Sequence, residues 1–483
     1  MTARRLTLIC DRLFDGAALR RGHWRLEVAG ERIAALRPVD PRERPPHDAW
    51  DVRDATVLPG LCNAHVHIAR AGLFGPSEPI SLAQVQRNLE VTLRAGVTTV
   101  GDMGCAAPLV VGLRRRAAAE PGSGPAVLAA GPIVTAPLGY PLDWLSPRLA
   151  SLGVVETCAS SASAARAVER LSAAGVDHVK VAVMHESYGG KALPVMPTPV
   201  LAAVVSAAHA AGLRVLAHAH SAADYRAALH GGVDALMHSA FDPLDGQTLA
   251  RVRDAGVPVC PTLWVFEAAC RGAEARWDRD PRYGGVAPDW VRREWGAFCD
   301  AYAAAGAVMP AGIAAGLPKA RAREAVRVAA ANLLLLRDAG VPLGFGTDAA
   351  YGFCLHGRPQ DELYAMHRAG LGAVECLRAA TGGAAALLGR RDRGVLAPGA
   401  RADLLVVDGD PTSDLAAIER VRAVVAAGRV VVGTGGRAAT GPGTSDGPVA
   451  RAARDLATRV AVARGLLATV AAGAKRALRV NAR

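Results

Sequence analysis

The stretch VLAHAHSAADYRAALHGGVDALMH, residues 215–238, decides how this chain is read. It opens on an apolar strand ending near His218, passes through a helical stretch, and turns at Gly231-Gly232. A second apolar strand then runs to His238. Glycine at a helix end tolerates the left-handed turn that hands the chain to the next strand. The stretch is therefore one strand–helix–strand unit, with a histidine at the end of each strand.

Working outward, the same unit recurs. VLPGLCNAHVHI (57–68), VTTVGDM (97–103), AVLAAGPIV (126–134) and VDHVKVAV (176–183) precede it as candidate strands. VPVCPTL (257–263) and VPLGFGTD (341–348) follow. Pairs such as Ala95-Gly96, Ala174-Gly175, Ala255-Gly256 and Ala339-Gly340 announce several of them. Eight strands alternating with helices over residues 61–393 predict an α/β chain with a (β/α)₈ TIM barrel. One connection, at about 264–340, is longer than a helix and two loops require. It contains WVRREWGAFCDAYAAAG and KARAREAVRVAAANLLLL, both helical in pattern. Such an insertion is either a lid over the active face or a surface decoration.

Outside the barrel the texture is that of short strands. LTLIC, WRLEVAG, RIAALRP and ATVLPG lie within residues 1–60, and a similar pattern returns at 394–435. Both ends together predict one small accessory β domain. From 436 a Gly/Ser/Thr/Pro linker leads into an Ala/Arg-rich tail ending at 483.

The 483 residues are 51% hydrophobic, which excludes a wholly disordered chain. A net charge of +12 raises nucleic acid or a membrane surface as a partner. Residues 436–483, however, carry nine basic against two acidic side chains, so +7 belongs to the tail and +5 to the rest. The barrel therefore needs no nucleic acid and no membrane. The tail is either a solvated appendage or a basic helix with Leu456, Val460, Leu467 and Val470 on its apolar side. Nine scattered cysteines without a CxxC pair argue against a disulfide scaffold. No apolar run spans a membrane and no signal-peptide core opens the chain, which predicts a cytoplasmic protein.

The chemistry is written at the strand ends. His65 and His67 are two apart on the first strand and so share a face. Lys180 lies on the fourth strand, His218 on the fifth with His220 two beyond, His238 on the sixth, and Asp348 closes the eighth. Barrel enzymes place their chemistry at the C-terminal ends of strands. Histidines and an aspartate gathered there predict a metal site. Lys180 is the informative member, because the chain has only four lysines. An ammonium repels a cation, whereas a lysine carbamate offers two oxygens and a negative charge that can bridge two ions. The alternative is an ion pair of Lys180 with Asp177 or Glu186. Two bridged ions would stand about 3.5–4 Å apart and hold a hydroxide as nucleophile. Asp348 would take the water's proton and return it to the leaving amine. Imidazole and oxygen ligands suit Zn²⁺ best.

These motifs, with AGVTTVGDMG, KVAV, GVPLGFGTDA and LRAATGGAAALLGRRDRGVLAPGARADLLVVDGDP, make the chain resemble the metal-dependent amidohydrolase superfamily. The likeness falls in its imidazolonepropionase-like and prolidase-like branch and runs from about residue 5 to 433. It implies a barrel with an accessory β-sandwich from both termini. It implies that His65, His67 and Asp348 bind one metal, that Lys180 bridges, and that His218 and His238 bind the second. His220 and Arg226 are implied as substrate contacts, although Arg226 reads equally as a surface arginine. Tyr140, in TAPLGYPLDW, stands where relatives often have a polarising histidine. The implied activity is cleavage of a C–N amide bond in a dipeptide or N-acyl amino acid, by an enzyme that is commonly a homo-oligomer. A mononuclear cyclic amide hydrolase or deaminase is the alternative. Such enzymes carry an acid soon after the fifth-strand histidine, where this chain has His218-Ala219-His220-Ser221. A binding protein on the same fold would lack ligands, and none is missing.

Overall fold

The computed structural model describes residues 5–44, 46–72, 81–145, 150–284, 286–309 and 316–433. The expected linker and tail at 436–483 lie outside them. The chain is a mixed α/β fold.

One sheet is largely antiparallel and draws strands from both ends of the described chain. Its order is Arg429–Val432, Val421–Ala426, Leu404–Asp408, Ala55–Pro59, Arg5–Phe14, Leu19–Ala29 and Arg32–Pro38, with Trp50–Asp51 beside Arg5–Phe14. The two ends meet where Leu405 stands opposite Leu58 and Val406 opposite Val57. Successive side chains of a strand point to opposite faces. Accordingly Leu404 and Val406 enter a small core of this sheet, whereas Leu405 and Val407 pack into the large central core.

The remaining strands are parallel. One sheet holds Leu61–Val66, Val97–Asp102 and Ala126–Ala129. The other runs Val155–Thr157, Ile133–Thr135, His178–Ala182, Arg214–His218, Ala235–Met237 and Val259–Cys260. Most of these strands are buried along their length, as parallel strands covered by helices must be. Backbone bonds connect the two sheets, from Asp177 N–H to the Ala129 carbonyl at 2.7 Å. On the other side, Gly344 donates to Val259 at 2.8 Å and Ala64 donates to Phe345 at 2.8 Å.

Two expected strands are interrupted. The strand expected at 126–134 divides at Gly131, whose φ of +72° is left-handed, and Pro132 beside it has no N–H to donate. The strand expected at 341–348 forms single bridges at Leu343 and Ala349 in place of a continuous ladder. At Gly346 a Cβ would stand 2.5 Å from Cys260 Sγ and 2.6 Å from His65 Cβ, so only glycine passes there. Asp348 then ends the extended run with φ +56°.

The long connection is helical, with helices Leu263–Glu274, Asp289–Ala304 and Lys319–Asp338. The first starts against Glu362, whose carboxylate accepts the N–H groups of Leu263 at 2.9 Å and Trp264 at 2.6 Å. Burial pushes Glu362 up to about 8, against the pull of those two donors. All nine cysteines are buried, and none forms a disulfide. Among the described residues no helix is long and apolar enough to cross a membrane.

Candidate metal centre

The ends of the parallel strands bring His65, His67, Lys180, His218, His238 and Asp348 around one small pocket of about 80 Å³. All six are buried. Asp348 Oδ1 lies 3.4 Å from His65 Nε2 and 3.2 Å from His67 Nε2, and Oδ2 lies 3.9 Å from His238 Nδ1. Ligand atoms of His65, His238 and Asp348 fall within 4.8 Å of one another, and so do those of His218, His220 and His238.

Local structure holds these groups in place. The Asp348 N–H donates to the His65 carbonyl at 2.8 Å. Asn63, one turn of the pleat below His65, donates to Thr347 Oγ1 at 2.8 Å and accepts the Thr347 N–H at 3.1 Å. His238, Thr262 and Asp348 all adopt positive φ, at 81°, 45° and 56°. Non-glycine residues persist in that region only where the surroundings impose it, and such positions cluster at functional sites. Thr262 Oγ1 hydrogen-bonds His238 Nδ1 at 2.7 Å, which fixes the ring and leaves Nε2 without a hydrogen-bond partner.

The same pocket holds further unmatched polar atoms: His65 Nδ1, Lys180 Nζ and Asp348 Oδ1. Buried polar groups are normally hydrogen-bonded, so four unmatched atoms on residues lining one pocket fit a shared ligand. Divalent cations fit this donor set of imidazole, carboxylate and amine-derived ligand. The ion pairs considered for Lys180 are not formed. Asp177 binds Arg114 and Arg390, each at 2.8 Å, and Glu186 lies 3.4 Å from Arg321. Burial pulls Lys180 down to about 7, with Asp348 acting in the opposite sense. Burial, reinforced by the neighbouring cationic groups, also holds His65, His218 and His238 well below the ordinary imidazole range. Neutral imidazoles are the ligating form.

The residues considered as substrate contacts separate. Tyr140 lines the pocket and stacks on His218, with ring centroids 4.1 Å apart and planes at 15°. Burial raises its phenol pKa, so the hydroxyl stays protonated and able to donate. His220 sits beside His218 and His238, its Nε2 2.8 Å from the Tyr188 hydroxyl. Arg226 is not brought to the pocket. It reaches away along the helix surface to Asp245 at 3.0 Å and Thr248 at 2.9 Å. Tyr188, Phe266 and Tyr351 wall the pocket without having been singled out by the sequence. For Tyr188 the signal was available, since it lies in the unusual MHESYGG loop after Lys180; Phe266 and Tyr351 follow no periodicity.

A model of the amidohydrolase family matches residues 56–431. An uncharacterized protein of Mycobacterium bovis is 28% identical over 376 residues, which is 77% of this chain and 84% of that one. A Xaa-Pro dipeptidase with bound methionine has the same fold, with TM-score 0.71 at 23% identity over 89% of this chain and 100% of its own. The A. niger ochratoxinase gives TM-score 0.68 at 18% identity, over 90% and 97% of the two chains. Because the family match runs through every strand that carries a candidate ligand, this chain belongs to the amidohydrolase family.

Proposed function

We infer that this chain is a binuclear metal-dependent hydrolase that cleaves the C–N amide bond of a dipeptide or N-acyl amino acid. The observation that carries this reading is Lys180: fully buried, without a hydrogen-bond partner among the described residues, and in a pocket with four histidines and an aspartate. A buried cation without a partner is costly, and a carbamate shared by two cations removes that cost. His65, His67 and Asp348 would hold one ion, His218 and His238 the other, with His220 within reach of the second. Divalent ions, Zn²⁺ foremost, supply Lewis acidity toward a carbonyl oxygen and bring the pKa of water toward neutrality.

The protein's own groups do the rest. Asp348 would take the proton of the attacking water and return it to the amine nitrogen as the C–N bond breaks. The products are a carboxylic acid and an amine. Tyr140 donates its hydroxyl toward the carbonyl oxygen. The parallel strands act as an eight-unit barrel over residues 61–393, the sheet from 1–60 and 394–435 as an accessory sandwich, and residues 264–340 as a lid.

Metal analysis of protein prepared with Zn²⁺ and bicarbonate is expected to give two ions per chain. A firm value of one, together with turnover of cyclic amides, replaces this reading by the mononuclear one. Absence of hydrolysis across dipeptides, N-acyl amino acids and lactams by the two-metal form overturns it.

A further inference from the structure

Next to the metal pocket lies a larger cavity of about 600 Å³, and Tyr188, Phe266 and Tyr351 line both. Phe241, Phe298, Met309 and Leu317 make much of its wall apolar. A polar pair interrupts that wall. His185 Nδ1 stands 2.6 Å from Asp224 Oδ1, and the imidazole keeps 43% of its side-chain surface while Asp224 keeps 3%.

Asp224 is held from several sides. It accepts the backbone N–H of His185 at 3.0 Å and of His220 at 3.1 Å, and its own N–H donates to Ser221 at 3.0 Å. With Nδ1 committed to Asp224, Nε2 is the ring atom left for the cavity, and among the described residues nothing hydrogen-bonds it. The hydrogen bond to Asp224 also holds the His185 pKa above its ordinary value. Both arginines on this wall stand beside a glutamate on the exposed rim. Arg321 faces Glu186, Arg327 faces Glu324, and Asp242 accepts the Ala222 N–H.

We propose that the larger cavity binds the half of the substrate that carries a bulky apolar group and a carboxylate, and that His185, positioned by Asp224, receives the carboxylate. Calling that molecule a substrate rests on the hydrolase reading above; the binding site does not. The role that the sequence offered to Arg226 passes to a residue on the loop after Lys180. The substrate class is accordingly an aromatic or long aliphatic amphipathic acid, with the scissile amide in the small pocket.

Calorimetry on the intact, metal-loaded chain tests this with 4-phenylbutanoate, 4-phenylbutanol and acetate, none of which requires turnover. The wild type is expected to bind 4-phenylbutanoate at least about tenfold tighter than either the alcohol or acetate, the range of a charge-assisted hydrogen bond and of a buried aromatic group. His185→Gln is expected to remove most of the acid-over-alcohol preference and leave the alcohol's affinity within about twofold. Asp224→Asn is expected to weaken acid binding in the same direction, with both variants checked for an unchanged melting temperature. An acid preference that survives His185→Gln overturns the proposal, because the carboxylate is then held elsewhere. So does a wild type that binds acetate as tightly as 4-phenylbutanoate. Turnover is assayed separately across dipeptides, N-acyl amino acids and lactams: its absence throughout sinks the hydrolase reading and leaves the calorimetry to decide the site.

Discussion

The small metal pocket and the larger cavity share a wall, yet they are built from different material. The pocket takes its groups from the ends of parallel strands whose backbones are bonded on both sides, so a histidine there has little freedom. The cavity takes its groups from the insertion helices, the loop after Lys180 and the segments that follow His218 and His238. Strands fix chemistry to within a fraction of an ångström, and helices and loops set which molecule reaches it. The difference suggests that substitutions in the pocket abolish turnover for every substrate, while those in the cavity redistribute preference among substrates.

The largest effect is expected at Lys180. Lys180→Ala should lower kcat/KM by about a thousandfold or more with the fold intact, and short carboxylic acids should restore part of the rate. Steady-state kinetics with added acetate or propionate checks this, and full activity without rescue would break the contrast at its strongest point.

Glu362 ties the two regions together, because it caps the helix that starts one residue after Thr262, the partner of His238. Its folded-state pKa is raised from 4.5 to about 8, chiefly by burial. The folded chain therefore retains a proton that the unfolded chain releases, so this contribution to stability is complete below 4.5 and is lost as pH climbs toward 8. Glu362→Gln removes the titrating group and should flatten that slope, while keeping only one of the two acceptors for the Leu263 and Trp264 N–H groups, a loss of about 1–3 kcal/mol at acid pH. Urea melts at several pH values report it, and an unchanged slope shows that Glu362 is ionised in the folded chain.

A smaller effect belongs to the cavity wall. Phe266→Ala should raise KM about tenfold for substrates with a bulky apolar half and leave small ones within about twofold. Equal losses for both classes would mean that the wall serves the chemistry itself.

Arg226→Ala marks the lower bound. Its ion pair with Asp245 is exposed, so the change should cost less than about 1 kcal/mol and leave kcat/KM unaltered. A marked rise in KM would put Arg226 back in contact with the substrate.

The six pocket residues could be named from the chain alone because each has a positional signature: a histidine, lysine or aspartate at or near the C-terminal end of an apolar run. The strands joining the two ends were likewise legible, since RIAALRP and ATVLPG coincide with Arg32–Pro38 and Ala55–Pro59. The break at Gly131 was harder to see, because an apolar run does not announce a left-handed residue within it. Arg226 failed as a guide to the pocket since a helix can turn a side chain to either neighbour. Here Asp245 and Thr248 on the next helix claim it.

What the sequence determined by itself is the order of the parallel units and the identity of the groups at their ends, because both follow from local periodicity and spacing. Only the tertiary structure decided that Lys180 Nζ has no hydrogen-bond partner among the described residues, that Thr262 orients His238, and that His185 and Asp224 form a pair in the larger cavity. Those facts depend on which distant segments pack together, 39 residues apart for the last pair, and local pattern carries no record of such distances.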